Sequence, residues 1–169
     1  MIHLICGPIG AGKTSFAHEL AEQHQAIRFS EDEWLNTLFV PDAPENLLEE
    51  PIENVAQWAS EKYQRCRSQI WPICEQLLKH GIPVILDGAA ANKEQRELIR
   101  YKAEQYGVDF KLYFVTAEVE TRRSRVFERN VKKGVTYSLD VTPEMFELME
   151  SFFESPIEDE LQITEVINT

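Results

Sequence analysis

Gly7-Pro8-Ile9-Gly10-Ala11-Gly12-Lys13-Thr14 matches the spacing G-x-x-x-x-G-K-[ST] in full. It stands between an apolar run of strand length, Ile2-His3-Leu4-Ile5-Cys6, and a stretch from Ser15 to Glu22 that reads as helix. Strand, glycine turn and helix in that order are the context in which this spacing builds a site for phosphate. Glycines let successive backbone N–H groups turn inward around a phosphate chain, where side chains would block the approach. The helix N-terminus adds partial positive charge, and Lys13 reaches the β/γ-phosphates as a mobile point charge. Thr14 offers a hydroxyl to Mg²⁺. Gly7 through Ser15 are therefore read as the nucleotide-phosphate loop, against the alternative of a glycine turn opening an ordinary helix.

The remaining pattern alternates strand-like and helical segments, as a parallel sheet covered on both faces requires. Strands are expected at 26–30, 83–87 and 109–115, and a last one within 161–167. Helical pattern runs from Ile52 to His80 with Pro72 inside it, so a break or kink is expected there. Asn92 with Gln95 starts a helix that ends at Gly107, and Thr116 is expected to cap an arginine-rich helix reaching Asn130. Val131 to Val141 reads as a lid-like connection. Thr142-Pro143-Glu144 then opens a helix with Met145, Met149, Phe152 and Phe153 on one face. A chain of 169 residues without an internal linker suits one domain, 1–169, with a lid over about 122–141.

Charge narrows the partners. The net charge is −12, and from Val135 to Thr169 there are nine acidic residues and no Lys or Arg. The first 134 residues hold 20 acids against 17 bases. No broad basic surface for nucleic acid is expected from that balance. Cys6, Cys66 and Cys74 lack metal-type or redox-type spacing and read as small core residues in a reducing compartment. No signal peptide or membrane-spanning stretch is read, so a cytoplasmic protein is expected. Monomer and dimer remain equally open.

A phosphate loop does not name a reaction, so the ends of the other strands carry the rest. Ser30-Glu31-Asp32-Glu33-Trp34 follows the second strand. Ser30 and Glu33 fit a capping box, which explains Glu33. Asp32 reads either as a first-turn helix residue or as the base that takes the proton of an attacking hydroxyl. Asp87, after four apolar residues, suits a carboxylate holding Mg²⁺ through water, or a turn aspartate. Arg122, Arg125 and Arg129 lie at i, i+3 and i+7 on one helical face. They read as a lid cluster for the charge of a transferring phosphoryl group, or as a solvated face paired with Glu118 and Glu128. Trp34, Phe39, Trp58, Tyr63 and Trp71 are candidates for an acceptor pocket or for core packing.

With these residues in order, nearly the whole chain resembles the small P-loop kinases of the group spanning polynucleotide kinase, chloramphenicol phosphotransferase and zeta toxins. Its ending is also similar to bacterial AAA-type ATP-binding proteins of that group. The resemblance implies an α/β P-loop NTPase fold, a five-stranded parallel sheet ordered 2-3-1-4-5 with helices on both faces and a small helical lid. It implies ATP and Mg²⁺ as cofactors, Asp32 as base beside Lys13, and Arg125 and Arg129 serving the lid or the adenine. Two departures stand out. Leu35 occupies the place of an arginine that polynucleotide kinases use for the acceptor phosphate, and Ser30 that of a Mg²⁺-associated aspartate in shikimate kinases. The metal shell is then expected to rest on Thr14 and Asp87. The expected activity is transfer of the γ-phosphate of ATP to a hydroxyl of a small molecule, without nucleic-acid or membrane partners. The rivals are a toxin-like or nucleotide-end kinase and an ATP-driven switch acting through protein contacts.

Overall fold

The first strand, β1 (Ile2–Cys6), is buried along its entire length, and its alternation feeds two different cores. Ile2, Leu4 and Cys6 join one cluster, while Ile5 joins the other. A strand buried on both faces belongs in the middle of a parallel sheet, and β1 is the central strand. In this computed structural model, which describes residues 1–88, 90–133 and 140–169, the remaining strands are β2 (Ile27–Ser30), β3 (Val84–Asp87), β4 (Phe110–Thr116) and β5 (Thr164–Asn168). They pair in the order β2-β3-β1-β4-β5, every neighbour parallel. This is the expected order.

Among the described residues, six α-helices connect the strands: α1 (Lys13–His24), α2 (Glu31–Leu38), α3 (Ile52–Lys79), α4 (Lys93–Gln105), α5 (Val119–Lys132) and α6 (Pro143–Phe152). The larger core takes Cys66, Ile70, Cys74 and Leu78 of α3, one or two turns apart, against β1, β3 and β4. The second core takes Ala17 and Leu20 of α1. A third, smaller cluster joins Val126 of α5 to Val141 and Phe146. Cys6, Cys66 and Cys74 are free and buried. Among the described residues, no helix is long and apolar enough to cross a membrane.

Several local expectations need correction. α3 runs through Pro72 without a break. The lost ladder bond is outweighed by the buried stripe on either side of it, and Gln76 Nε2 donates to the Pro72 carbonyl at 3.2 Å. The N-cap of α5 is Glu118 rather than Thr116, and it makes no side-chain capping bond. The buried residue of α6 is Phe146; Met149 and Phe152 are exposed, and Phe153 lies past the helix end, stacked on Phe114. Of the expected lid, 134–139 lie outside the described residues. Asn92 caps as expected, its Oδ1 accepting from Gln95 N, but Gln95 Oε1 reaches back to Ala91 N rather than Asn92 N; at the next helix Thr142 Oγ1 accepts from Met145 N.

The carboxy-terminal part is pinned by a buried ion pair. Arg96 of α4 donates from Nε and Nη2 to Glu160 at 2.6 and 2.9 Å, and from Nη1 to the Glu154 carbonyl at 2.6 Å. Both side chains are almost fully enclosed, so each charge depends on the other. The chain leading into β5 is thereby fastened beneath α4.

Candidate active site

The loop from Gly7 to Gly12 turns between β1 and α1, and close contacts explain its glycines. A Cβ on Gly7 would stand 2.1 Å from the Val115 carbonyl oxygen. At Gly10, whose φ is +75°, a Cβ would stand 2.5 Å from the Arg122 carbonyl oxygen. The loop is thus wedged between the end of β4 and the first turns of α5. Ala11 N donates to the Pro8 carbonyl, and the Ile9 side chain packs against the Val126 and Phe146 cluster. Thr14 and Ser15 follow in the first turn of α1, Thr14 half-buried and Ser15 exposed.

Lys13 Nζ donates to the carbonyls of Gly7 and Pro8, both at 2.9 Å, which curls the ammonium over the loop. Burial pulls its pKa down. The carboxylates of Asp32 and then Asp87 act most strongly against that trend, and Arg129 adds to it. Four residues from three strand ends and one helix therefore share one electrostatic neighbourhood, as the topology of an open parallel sheet predicts.

Asp32 lies in the first turn of α2, just past the end of β2. Ser30 caps that turn, its Oγ accepting from Glu33 N at 3.3 Å. The other half of the expected capping box is absent, because the Glu33 carboxylate is bonded to Arg28 instead. Asp32 is exposed, its Oδ1 accepts from Tyr63 Oη at 2.5 Å, and its Oδ2 faces Gly88 after β3. Glu31 beside it is buried and is held by Arg67 Nε, at 2.8 and 2.9 Å to its two oxygens. Burial raises the Glu31 pKa, and Arg67 offsets part of the rise. α3 thus grips the start of α2 through two residues one turn apart, Tyr63 and Arg67.

Asp87 is buried at the end of β3, and burial raises its pKa against the pull of Lys13 and Arg28. Arg28 Nη1 donates to its Oδ2 at 2.9 Å. A hydroxyl and a buried carboxylate flanking a phosphate-loop lysine are hard oxygen donors of the kind Mg²⁺ takes with several waters retained. Thr14 and Asp87 fit that role. Among the described residues, no group of three or more His, Cys, Asp or Glu side chains forms a protein-only metal cage.

The three arginines read as one face of α5, out of four in that helix, have different fates. Arg122 is buried and structural: it donates to Glu150 of α6, and to the carbonyls of Ala117 and Ile9. Its partner is neither solvent nor the expected Glu118. Arg125 Nη1 donates to Thr169 Oγ1 at 2.8 Å, and that hydroxyl donates to the Ala11 carbonyl at 2.9 Å. Arg125 is thereby tied to the phosphate loop through the end of β5. Arg129 carries a buried Nε with no hydrogen-bond partner among the described residues, close enough to Lys13 to disfavour its charge. A desolvated guanidinium nitrogen without a partner is costly unless something else satisfies it.

Of the aromatic candidates, all five pack against the main core. Trp71 faces α4, with Tyr106 edge-on and Lys102 over its ring. Only Tyr63 bonds a site carboxylate. Arg28, Glu31 and Arg67 were not singled out from sequence; a lone arginine in a strand carries no signal until its neighbour strand is known.

Residues 2–156 match the model of a family described as an AAA domain, AAA_33. The chain belongs to that family. No curated protein matches it in sequence. Among solved structures, it is similar to a putative kinase from Chloroflexus aurantiacus J-10-fl, with TM-score 0.73 and 14% identity over 99% of this chain and 83% of that one. It is also similar to Kti12 of Chaetomium thermophilum in complex with ADP-AlF3, with TM-score 0.67 and 16% identity over 100% and 88%. A third is a sugar kinase from Janibacter sp. HTCC2649, with TM-score 0.63 and 16% identity over 99% and 84%. At such identities the likeness is one of fold: the five-stranded sheet in the order found here, shared with P-loop kinases.

Proposed function

We propose that the chain is an ATP-dependent kinase that transfers the γ-phosphoryl group of ATP to a hydroxyl of a small molecule. The observation that carries this reading is the convergence of Asp32 and Asp87 on Lys13, with Asp32 exposed at the mouth of the loop. A nucleotide-binding loop alone needs no carboxylate there; a transferase needs one to take the acceptor's proton.

In this reading the backbone of Gly7 to Ser15 surrounds the phosphates, with Pro8, Ile9 and Ala11 shaping the turn. Lys13 follows the charge that moves to the β–γ bridge. Mg²⁺, held by Thr14 and through water by Asp87, would neutralise phosphate charge. Asp32 accepts the proton as the acceptor oxygen bonds to the γ-phosphorus and the bond to ADP breaks. Arg125 acts at the transition state and Arg129 on the nucleotide. The chain works as one domain in the cytoplasm, its lid spanning about 122–141, and its specific relatives are the polynucleotide kinase, chloramphenicol phosphotransferase and zeta-toxin group. Leu35 and the acidic carboxy-terminal segment from Val135 to Thr169 argue for a small acceptor over a nucleic-acid end.

A second reading has its own support. Arg122 bridges the Ile9 carbonyl to Glu150, and Arg123 beside it bonds Glu147, so the phosphate loop is mechanically linked to α6. An ATP-driven switch would use that link to signal to a protein partner.

The test is ADP release from Mg·ATP across a panel of sugars, nucleosides and hydroxylated antibiotics, with Lys13→Ala as control. The kinase reading predicts that at least one alcohol raises ADP release and becomes phosphorylated. Slow hydrolysis unaffected by every alcohol would favour the switch.

A further inference from the structure

We propose that Tyr63 is a positioning residue for the Asp32 carboxylate, fixing Oδ1 by its hydroxyl so that Oδ2 is presented to the acceptor. This rests on the kinase reading above. Tyr63 Oη lies 2.5 Å from Asp32 Oδ1, at the short end for an O–H···O⁻ bond. The opposite oxygen faces Gly88, across the mouth of the loop, where a Cβ would still be 3.9 Å away. One oxygen is thereby occupied, while the other faces the turn that follows β3.

The geometry separates this role from simple support of α2. Arg67, one turn further along α3, holds the neighbouring Glu31 with a charge-assisted contact to both oxygens. Ser30 caps the same turn. The Tyr63 ring packs on the main core independently of its hydroxyl. Removing the hydroxyl alone therefore leaves α2 anchored and the ring in place, and frees only the rotation of the Asp32 carboxylate. Burial, reinforced by Asp32 itself, holds the Tyr63 phenol well above its ordinary pKa, so it stays a donor throughout the neutral range. A near-attack arrangement depends on such orientation, because small misplacements of a reacting group carry large rate effects.

The experiment is a double-mutant cycle on transfer of labelled γ-phosphate to the alcohol with the highest response in the acceptor panel. Tyr63→Phe, Asp32→Asn and the double variant are compared, with melting temperatures measured alongside. Tyr63→Phe is expected to lower kcat by about tenfold, the scale of one hydrogen bond to a charged group, with KM for ATP within about twofold. In the Asp32→Asn background the same change is expected to have no further effect, because Tyr63 acts only through that carboxylate. An equal loss in both backgrounds, or no loss in either, overturns the proposal. If Asp32→Asn itself transfers phosphate at the wild-type rate, Asp32 is not the base and this inference fails while the kinase reading stands; if no alcohol is phosphorylated, the kinase reading fails and takes this inference with it.

Discussion

Arg28, on the edge strand β2, donates from Nη1 to Oδ2 of Asp87 at the end of β3, 2.9 Å away. The same guanidinium is bonded to Glu33 at the start of α2. One arginine thus ties together the two segments that carry the candidate metal carboxylate and the candidate base. It does not cancel the burial of Asp87, whose pKa stays above the ordinary aspartate range. The unfolded chain ionises this group near pH 4, whereas the folded chain resists until higher pH. Ionisation at neutral pH therefore weighs against the folded state, and that weight disappears on acidification.

Asp87→Asn removes the penalty while keeping an oxygen that accepts from Arg28. The expected outcome is a higher melting temperature at pH 7, with the gain shrinking toward zero as pH approaches 4, together with loss of Mg²⁺-dependent turnover. A melting temperature several degrees below wild type at pH 7 would contradict it.

His3 gives a second pH dependence of opposite sign, although burial is again the main cause. It is buried in β1, with Nδ1 3.2 Å from Tyr113 Oη, Nε2 without a partner and the His24 ring 4.5 Å away. Burial, with His24 adding to it, lowers its pKa to about 4. Between pH 6.5 and 4 the unfolded chain binds a proton that the folded chain refuses, so stability falls as pH falls. The loss between pH 7 and pH 5 is expected to be about 2 kcal/mol from this residue. Urea unfolding of His3→Gln checks it: the difference between the two pH values should shrink by that amount, and an unchanged difference would refute the assignment.

Arg129 and Arg122 provide a matched pair within α5. Arg129→Met removes a buried Nε that has no hydrogen-bond partner among the described residues. ATP is expected to bind about tenfold more weakly, on the scale of one charge-assisted contact, with little change in melting temperature. Arg122→Met strands Glu150, so it is expected to lower stability by roughly 2–3 kcal/mol. Calorimetric titration with ATP and thermal unfolding of both variants separate the two; the reverse pattern would exchange their roles.

The sequence was most informative where chemistry and geometry are local. The loop from Gly7 to Thr14, the apolar β1 and the caps at Asn92 and Thr142 each depend on neighbours within a few positions. Sheet order came from resemblance, and the structure agrees with it. Pro72 misled because its local penalty competes with a buried stripe, Ile70, Cys74 and Leu78, whose packing exceeds it. Arg122 misled because helical spacing aligned it with Arg125 and Arg129, yet its partner Glu150 lies 28 residues ahead. The grip of Tyr63 and Arg67 on Asp32 and Glu31 spans 31 and 36 residues and depends on how α2 docks on α3. No periodicity encodes that docking.

Asp32→Asn tests the account most directly, because it keeps shape and polarity and removes only the ability to take a proton. ATP binding and acceptor-dependent transfer should be measured on the same purified variant. General-base catalysis contributes about 10²–10⁴-fold, so transfer is expected to fall by that factor while the affinity for ATP changes little. Transfer at the wild-type rate would make Asp32 a helix-start residue and contradict its assignment as the general base.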